Sequence, residues 1–266
     1  MALVTGGASG FGAEVARQLV RRGDAVVLCD IDEAGGHAVA DELGATFLRC
    51  DVSSYEEVVA TTDAAERVHG GLDLVFLNAG VTTGCGIAED FELARYRRAM
   101  AVNVDGVVFG AHAAIPALRR RGGGSIVATA SMAGLTGTAF DPVYGANKHA
   151  VVGLVRALGP ALQPHGIRVN AFCPGFAATR IIADISAMLA DSGVPIIPVD
   201  VAGRAVLAAF DSDETGQAFL LQAGRDVMIY RFRGIPGPLR GDGTPARPVE
   251  LTGASFVSAE PPAVSG

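Results

Sequence analysis

The chain holds 266 residues (27.1 kDa), half of them apolar, 18% charged and 6% aromatic with no Trp. Such a composition fills an aliphatic core and excludes a disordered polypeptide. A formal charge of −7 and a pI near 5.2 argue against nucleic acid as a partner, which would need a dense field of Lys and Arg. No run of about 18 uninterrupted apolar residues occurs and no charged-then-apolar leader opens the chain, so the expectation is a soluble, cytoplasmic protein without a membrane span.

In chain order, short apolar runs alternate with longer amphipathic ones. Ala2–Thr5 reads as a strand and Phe11–Arg22 as a helix, with Val15/Leu19 and Ala16/Val20 at i,i+4. Strand Ala25–Asp30, helix Glu33–Leu43, strand Thr46–Cys50, helix Ser54–Val68 and strand Leu72–Leu77 continue the rhythm. Helix Phe91–Arg120, strand Ser125–Ala130, helix Val143–Leu162, strand Arg168–Cys173 and a last strand at Ala218–Gln222 complete it. Strands that are apolar throughout and separated by helices are buried on both faces, as in a parallel sheet. Right-handed crossovers then give one doubly wound α/β domain over residues 1–230, with a mostly parallel seven-stranded sheet and helices on both faces.

Two regions break the rhythm. Phe176–Pro198 carries Ile181, Ile185 and Met188 or Leu189 at helical spacing, which predicts a short lid helix inserted after a strand. From Arg231 the chain holds six of its 13 prolines and no period, so 231–266 reads as an irregular tail. Cys29, Cys50, Cys85 and Cys173 form no CxxC pair and have no His at ligand spacing, so neither a disulfide framework nor a metal site is expected.

Thr5-Gly6-Gly7-Ala8-Ser9-Gly10-Phe11-Gly12 lies between the first strand and the first helix. Gly6, Gly10 and Gly12 permit a tight turn, close approach of a diphosphate and close helix–strand contact, and the helix N-terminus offers free N–H groups and partial positive charge. Asp30 ends the second strand, where a carboxylate can accept from both ribose hydroxyls of NAD and would repel the 2′-phosphate of NADP. No Arg stands beside it in the chain or in the glycine turn, so NAD is the expected cofactor. Asp32 suits the N-cap of the next helix.

Of 21 basic residues, 20 are Arg and one is Lys148, four residues after Tyr144 on a predicted helix. That spacing puts both side chains on one face. A phenol titrates near ~10, and an ammonium about 4 Å away at an effective dielectric of ~20 would favour the phenolate by roughly 4 kcal/mol, bringing the group near ~7. His149, one position on, points to another face and reads as structural.

Together with TGGASGFG, the pair Asp51-Val52, Asn78-Ala79-Gly80, Asn103, Ser131 and Pro174-Gly175 occur in an order that resembles the short-chain dehydrogenase/reductase family over residues 1–223. Leu77 stands where the family's usual Asn-Asn-Ala-Gly begins. The resemblance implies a Rossmann-type fold and an NAD-dependent oxidoreductase in which Ser131 bonds the substrate oxygen and Tyr144 exchanges its proton. Lys148 would hold the nicotinamide ribose, and Asn103 would anchor a water leading from the lysine to solvent. It further implies dinucleotide contacts from Gly6, Ser9, Gly10, Phe11 and Gly12, from Asp30 and Ile31, and from Asp51 and Val52 at the adenine. Asn78, Ala79 and Gly80 would border the adenosine ribose, and Pro174, Gly175, Ala177 and Thr179 the nicotinamide amide. The sequences PVYGANKHAVVG and NAFCPGF are similar to the hydroxyprostaglandin dehydrogenase branch, whose members oxidise lipid-like secondary alcohols; there the position of Asp141 touches substrate.

The expected partner is therefore a small secondary alcohol or its ketone, with an apolar lid to receive it. Homodimers or homotetramers are implied through the helices over 91–120 and 143–162. The apolar positions of these helices (Val104, Val107, Val108, Ala111, Val151, Val155, Leu158) would serve equally to pack on the sheet. The alternatives are a biosynthetic ketone reductase and a catalytically silent dinucleotide-binding protein.

Overall fold

The computed structural model describes residues 1–234, 238, 240–242 and 244. The chain divides into two units, Met1–Tyr230 and Arg231–Gly266. Among the described residues the first holds every helix and strand. Most of the second, where the irregular tail is expected, lies outside the described residues; within it Asp242 accepts from the backbone and hydroxyl of Thr244.

The strands of the first unit are β1 (Ala2–Thr5), β2 (Val26–Asp30), β3 (Thr46–Arg49), β4 (Leu74–Leu77), β5 (Gly124–Thr129), β6 (Ile167–Pro174), β7 (Ala218–Leu221) and β8 (Met228–Ile229). They form one sheet in the order β3-β2-β1-β4-β5-β6-β7-β8. All neighbours are parallel except β7 and β8, which run antiparallel. The expected seven strands are thus eight: β8 has two residues, too few to show any period in sequence. Val4, Leu28, Phe76, Val127, Phe172 and Phe219 fill the core from successive strands.

The helices are α1 (Gly10–Arg22), α2 (Glu33–Leu43), α3 (Tyr55–His69), α4 (Leu93–Met100), α5 (Gly106–Arg121), α6 (Pro142–Leu162), α7 (Ser186–Asp191) and α8 (Val199–Asp211). The caps explain the boundaries. Asp32 accepts from Gly35 N–H and Ser54 from Glu57 N–H, each satisfying a free donor of the first turn. The long helix expected over 91–120 is α4 and α5 joined by a π-helical segment, Ala101–Asp105, that contains Asn103. By length and composition this stretch, Leu93–Arg121, would also pass for a membrane span, with a mean hydropathy of 1.4 over its most apolar 18 residues. An uninterrupted apolar run is therefore too strict a criterion for that exclusion. In the fold, 44% of that window is buried.

The segment predicted to form a lid is a 3₁₀ turn, Arg180–Ile185, followed by the six residues of α7. Ile182 and Leu189 are buried while Ile181 and Met188 are exposed, so its apolar residues divide between packing and an open face. Helix α8, absent from the predicted rhythm, packs Ala202, Ala205, Val206 and Ala209 into the core. On α5 and α6, Val107, Ala111, Val151 and Val155 are buried within the single chain, and Val108 is exposed.

The order of strands reverses between β1 and β4, because the chain goes from β1 to β2 and β3 on one side and resumes at β4 on the other. A crevice opens outside the carboxyl ends of the strands at such a reversal. The loops that leave β1 to β6, with the helical segments at Asn103 and Tyr144, carry the residues singled out in the sequence.

Candidate active site

The glycine turn is shaped by close approach. Gly6 and Gly10 have φ of +64° and +54°, in the left-handed region that Cβ-bearing residues avoid. A Cβ on Gly6 would lie 2.9 Å from Ala79 Cα, and one on Gly12 would lie 2.0 Å from the Gly6 carbonyl oxygen. Ser9 is the N-cap of α1 but spends no side-chain hydrogen bond on it, and no acidic residue stands in the first turn. The N-terminus of α1 is thus left to an anion. Across from it, Thr179 Cγ2 is 3.4 Å from where a Cβ on Gly10 would stand, so the start of the lid faces the turn. This backbone-lined cradle fits the diphosphate of a dinucleotide.

Asp30 is fixed at the end of β2, accepting from Ala8 N–H at 3.0 Å and from Asp32 N–H at 3.0 Å. Each oxygen keeps a lone pair for a ribose hydroxyl. Ile31 beside it is 59% exposed, an apolar surface at the same edge. An arginine does reach this edge: Arg180 Nη1 lies 3.3 Å from Asp32 Oδ2. This arginine comes from 148 positions further along the chain than Asp32, so neighbours in sequence gave no sign of it. Gly35 N–H, and then Arg180, hold the Asp32 carboxyl below its ordinary range.

Asp51 accepts from both the backbone and the hydroxyl of Ser53, and the hydroxyl bond depresses its carboxyl. Val52 is buried, its Cγ2 placed 2.9 Å from where Gly106 would carry a Cβ. The Asn78 side chain is a structural tie, donating to the carbonyls of Thr5 and Gly6 and accepting from the Thr129 hydroxyl at 3.0 Å. It thereby joins the glycine turn to β5. Pro174 and Ala177 are buried, and Gly175 and Thr179 are half-buried.

Tyr144 and Lys148 do lie on one face of α6, with Lys148 Nζ 5.5 Å from the centre of the Tyr144 ring. The ammonium is 2% exposed, donates to the Thr129 carbonyl at 2.8 Å, and sits 3.6 Å from where a Cβ on Gly80 would be. Ser131, at the end of β5, hydrogen-bonds the Tyr144 phenol. The expected acidic phenol is not what the fold produces: burial pushes Tyr144 up to about 12, with the Ser131 hydrogen bond lowering it and the Asp141 charge raising it. Burial also lowers Lys148 to about 8. Desolvation of the phenolate is the largest influence on this group and decides its direction.

Asn103 is completely buried and its amide is taken up. Oδ1 accepts from Val81 N–H at 2.9 Å, and Nδ2 donates to the Val81 carbonyl at 2.9 Å and to Asn147 Oδ1 at 3.1 Å. Any water would have to be held by its backbone, and π segments release such carbonyls from the regular ladder. Asp141 is the N-cap of α6 and accepts from Tyr144 N–H and Thr83 N–H. His149 Nδ1 bonds the Gly145 carbonyl at 2.8 Å, as befits a structural residue.

Three neighbours of the site carry no sequence signal. Cys173 bonds the Ser131 backbone, and burial pushes its thiol up to about 12. Thr129 contributes only its carbonyl to Lys148, and a carbonyl has no residue signature. Phe140, 74% exposed, stacks on Phe176 with ring centres 6.5 Å apart, joining the loop before α6 to the start of the lid.

A sequence profile of the family described as short chain dehydrogenase matches residues 1–190. The 3-alpha-(or 20-beta)-hydroxysteroid dehydrogenase of Mycobacterium tuberculosis is 36% identical over 230 residues, 84% of this chain and 88% of that one. The sex determination protein tasselseed-2 of Zea mays is 40% identical over 189 residues, and this chain covers 56% of its length. Among solved structures, the 3-ketoacyl-(acyl-carrier-protein) reductase of Brucella melitensis complexed with NADH superposes with a TM-score of 0.79 at 30% identity. The match covers 84% of this chain and 97% of that one. An actinorhodin polyketide ketoreductase with NADPH gives 0.78 at 30% identity, covering 84% and 95%.

Proposed function

Because the chain belongs to the short-chain dehydrogenase family, we propose that it transfers a hydride between a secondary alcohol, or the matching ketone, and NAD. The observation that carries this reading is the meeting of Tyr144, Ser131 and Lys148 at the carboxyl ends of the strands, beside a cradle that only glycines can form. Gly6, Ser9, Gly10, Phe11 and Gly12 would hold the diphosphate, Asp30 the adenosine ribose, and Lys148 the nicotinamide ribose. When bound, the nicotinamide supplies the hydride donor or acceptor and, oxidised, one further positive charge. Ser131 orients the substrate oxygen, and Tyr144 gives it a proton in reduction or takes one in oxidation. With its phenol held protonated by burial, Tyr144 is ready to act as the acid.

Asp30 favours NAD by repelling a 2′-phosphate. Arg180 supports a second reading, in which the guanidinium turns from Asp32 to that phosphate and NADP is also used. Solvent screens an exposed pair of this kind, so little opposes the exchange. The Phe140–Phe176 pair and the exposed Ile181 and Met188 suit an apolar substrate such as a hydroxysteroid or a lipid-like alcohol. Assembly as a dimer or tetramer through α4–α5 and α6 fits the family. A panel of secondary alcohols and ketones followed by NADH absorbance, with Tyr144→Phe as control, tests the whole reading. The variant should bind NADH and lose at least about a hundredfold in turnover; unchanged turnover would refute the mechanism.

A further inference from the structure

The Asp141 carboxylate spans two segments that arrive from different strands. Oδ1 accepts from Tyr144 N–H at 2.9 Å, capping α6, and Oδ2 accepts from Thr83 N–H at 3.2 Å, in the loop that follows β4. Two residues earlier the same loop is gripped on both sides of Val81 by Asn103, which also holds Asn147 of α6. Helix α6 is therefore tied into one frame at residues 141 and 147, with Tyr144 between the two ties. A cap needs an acceptor and no charge, and Ser, Thr or Asn would serve as well. The carboxylate also brings a negative charge close enough to the phenol to oppose its ionisation.

The other groups facing that phenol are few. On α6, Lys148 carries the opposite charge 5.5 Å from the ring centre, while His149 is turned to the Gly145 carbonyl. From the end of β5 comes the Ser131 hydroxyl, and from β6 the Cys173 thiol, kept neutral by burial. From α4, Tyr96 lies in the groove beside Pro142 and Val143. Asp141 is thus the negative charge acting on Tyr144 among these described groups.

We propose that Asp141 is a positioning residue that locks the catalytic tyrosine onto the β4 loop and, through its charge, sets the pH window of the reaction. This rests on the reading of Tyr144 as the acid/base group, and its test has an arm that needs no turnover. The chain has no Trp and four Tyr, so tyrosinate absorbance near 295 nm is clean, and subtracting the Tyr144→Phe spectrum isolates one phenol. At pH 10.5 that difference should be close to nil in the wild type and should emerge in Asp141→Asn and Asp141→Ser, both neutral caps. In the activity arm, the pH profiles of kcat/KM for reduction and for oxidation should move together to lower pH, by about half to one unit. Circular dichroism establishes that each variant is folded, and Ser covers the event that Asn is not. A uniform fall in kcat with an unmoved profile, or an unchanged tyrosinate signal in a folded variant, would overturn the proposal by reducing Asp141 to a helix cap. If no ketone is turned over by any form, the Tyr144 reading fails and the tyrosinate arm still decides on Asp141.

Discussion

Lys148 is buried with its ammonium on the Thr129 carbonyl, and the cost of that burial appears in its titration at about 8. The unfolded chain would hold the same proton up to about pH 10.4. Between those values the unfolded state binds more protons, so this group makes stability rise with pH. The penalty of keeping it charged below pH 8 is about 3 kcal/mol. Lys148→Met should therefore be more stable than wild type at pH 7, with the gap closing as pH approaches 10; denaturant melts across that range check it. A gap independent of pH would mean that the ammonium is not desolvated. Cys173, raised to about 12, acts in the opposite sense above pH 9, and the Lys148 charge that lowers it is lost in the variant, so the two chains are compared most directly below pH 9. The Tyr144–Lys148 pairing is legible from spacing alone, because i,i+4 on a helix fixes a shared face. Its protonation is not, because burial is contributed by segments remote in sequence.

The turn between β1 and α1 and the π segment between α4 and α5 are the elements under most constraint. A Cβ at Gly12 collides with the Gly6 carbonyl at 2.0 Å, so Gly12→Ala must open the turn. It should cost about 1–3 kcal/mol in a urea melt and abolish the NADH-induced rise in Tm. Loss of the Asn103 amide removes two bonds to Val81 and one to Asn147 and leaves a half-buried backbone N–H and carbonyl without these partners. Asn103→Ala should destabilise by about 2–4 kcal/mol in the same melt. The glycine turn was readable in sequence because strand, turn and helix are contiguous. The π segment was not, since one inserted residue barely disturbs a helical period. Helix α8 had a readable signal, Ala202, Ala205, Val206 and Ala209 at i, i+3, i+4 and i+7, but lay beyond the alternation that organises the first two thirds of the chain.

At the scale of the molecule, the crevice draws on loops from successive strands that a bound dinucleotide would tie together. NADH at a hundredfold excess over its Kd should stabilise the fold by about 2.7 kcal/mol, raising Tm by about 5–10 °C for a unit of this size. The same excess of a nucleotide the site rejects should leave Tm unmoved, so scanning calorimetry with NADH and NADPH ranks the two directly. The sequence by itself determined the alternation of strands and helices, the glycine turn after β1 and the shared face of Tyr144 and Lys148, because each depends on neighbours within a few residues. Only the tertiary structure decided that Arg180 meets Asp32, that Asp141 joins Thr83 to α6, and that Tyr144 keeps its proton. Those outcomes depend on which distant segments exclude water and bring charge together, and no local period encodes that.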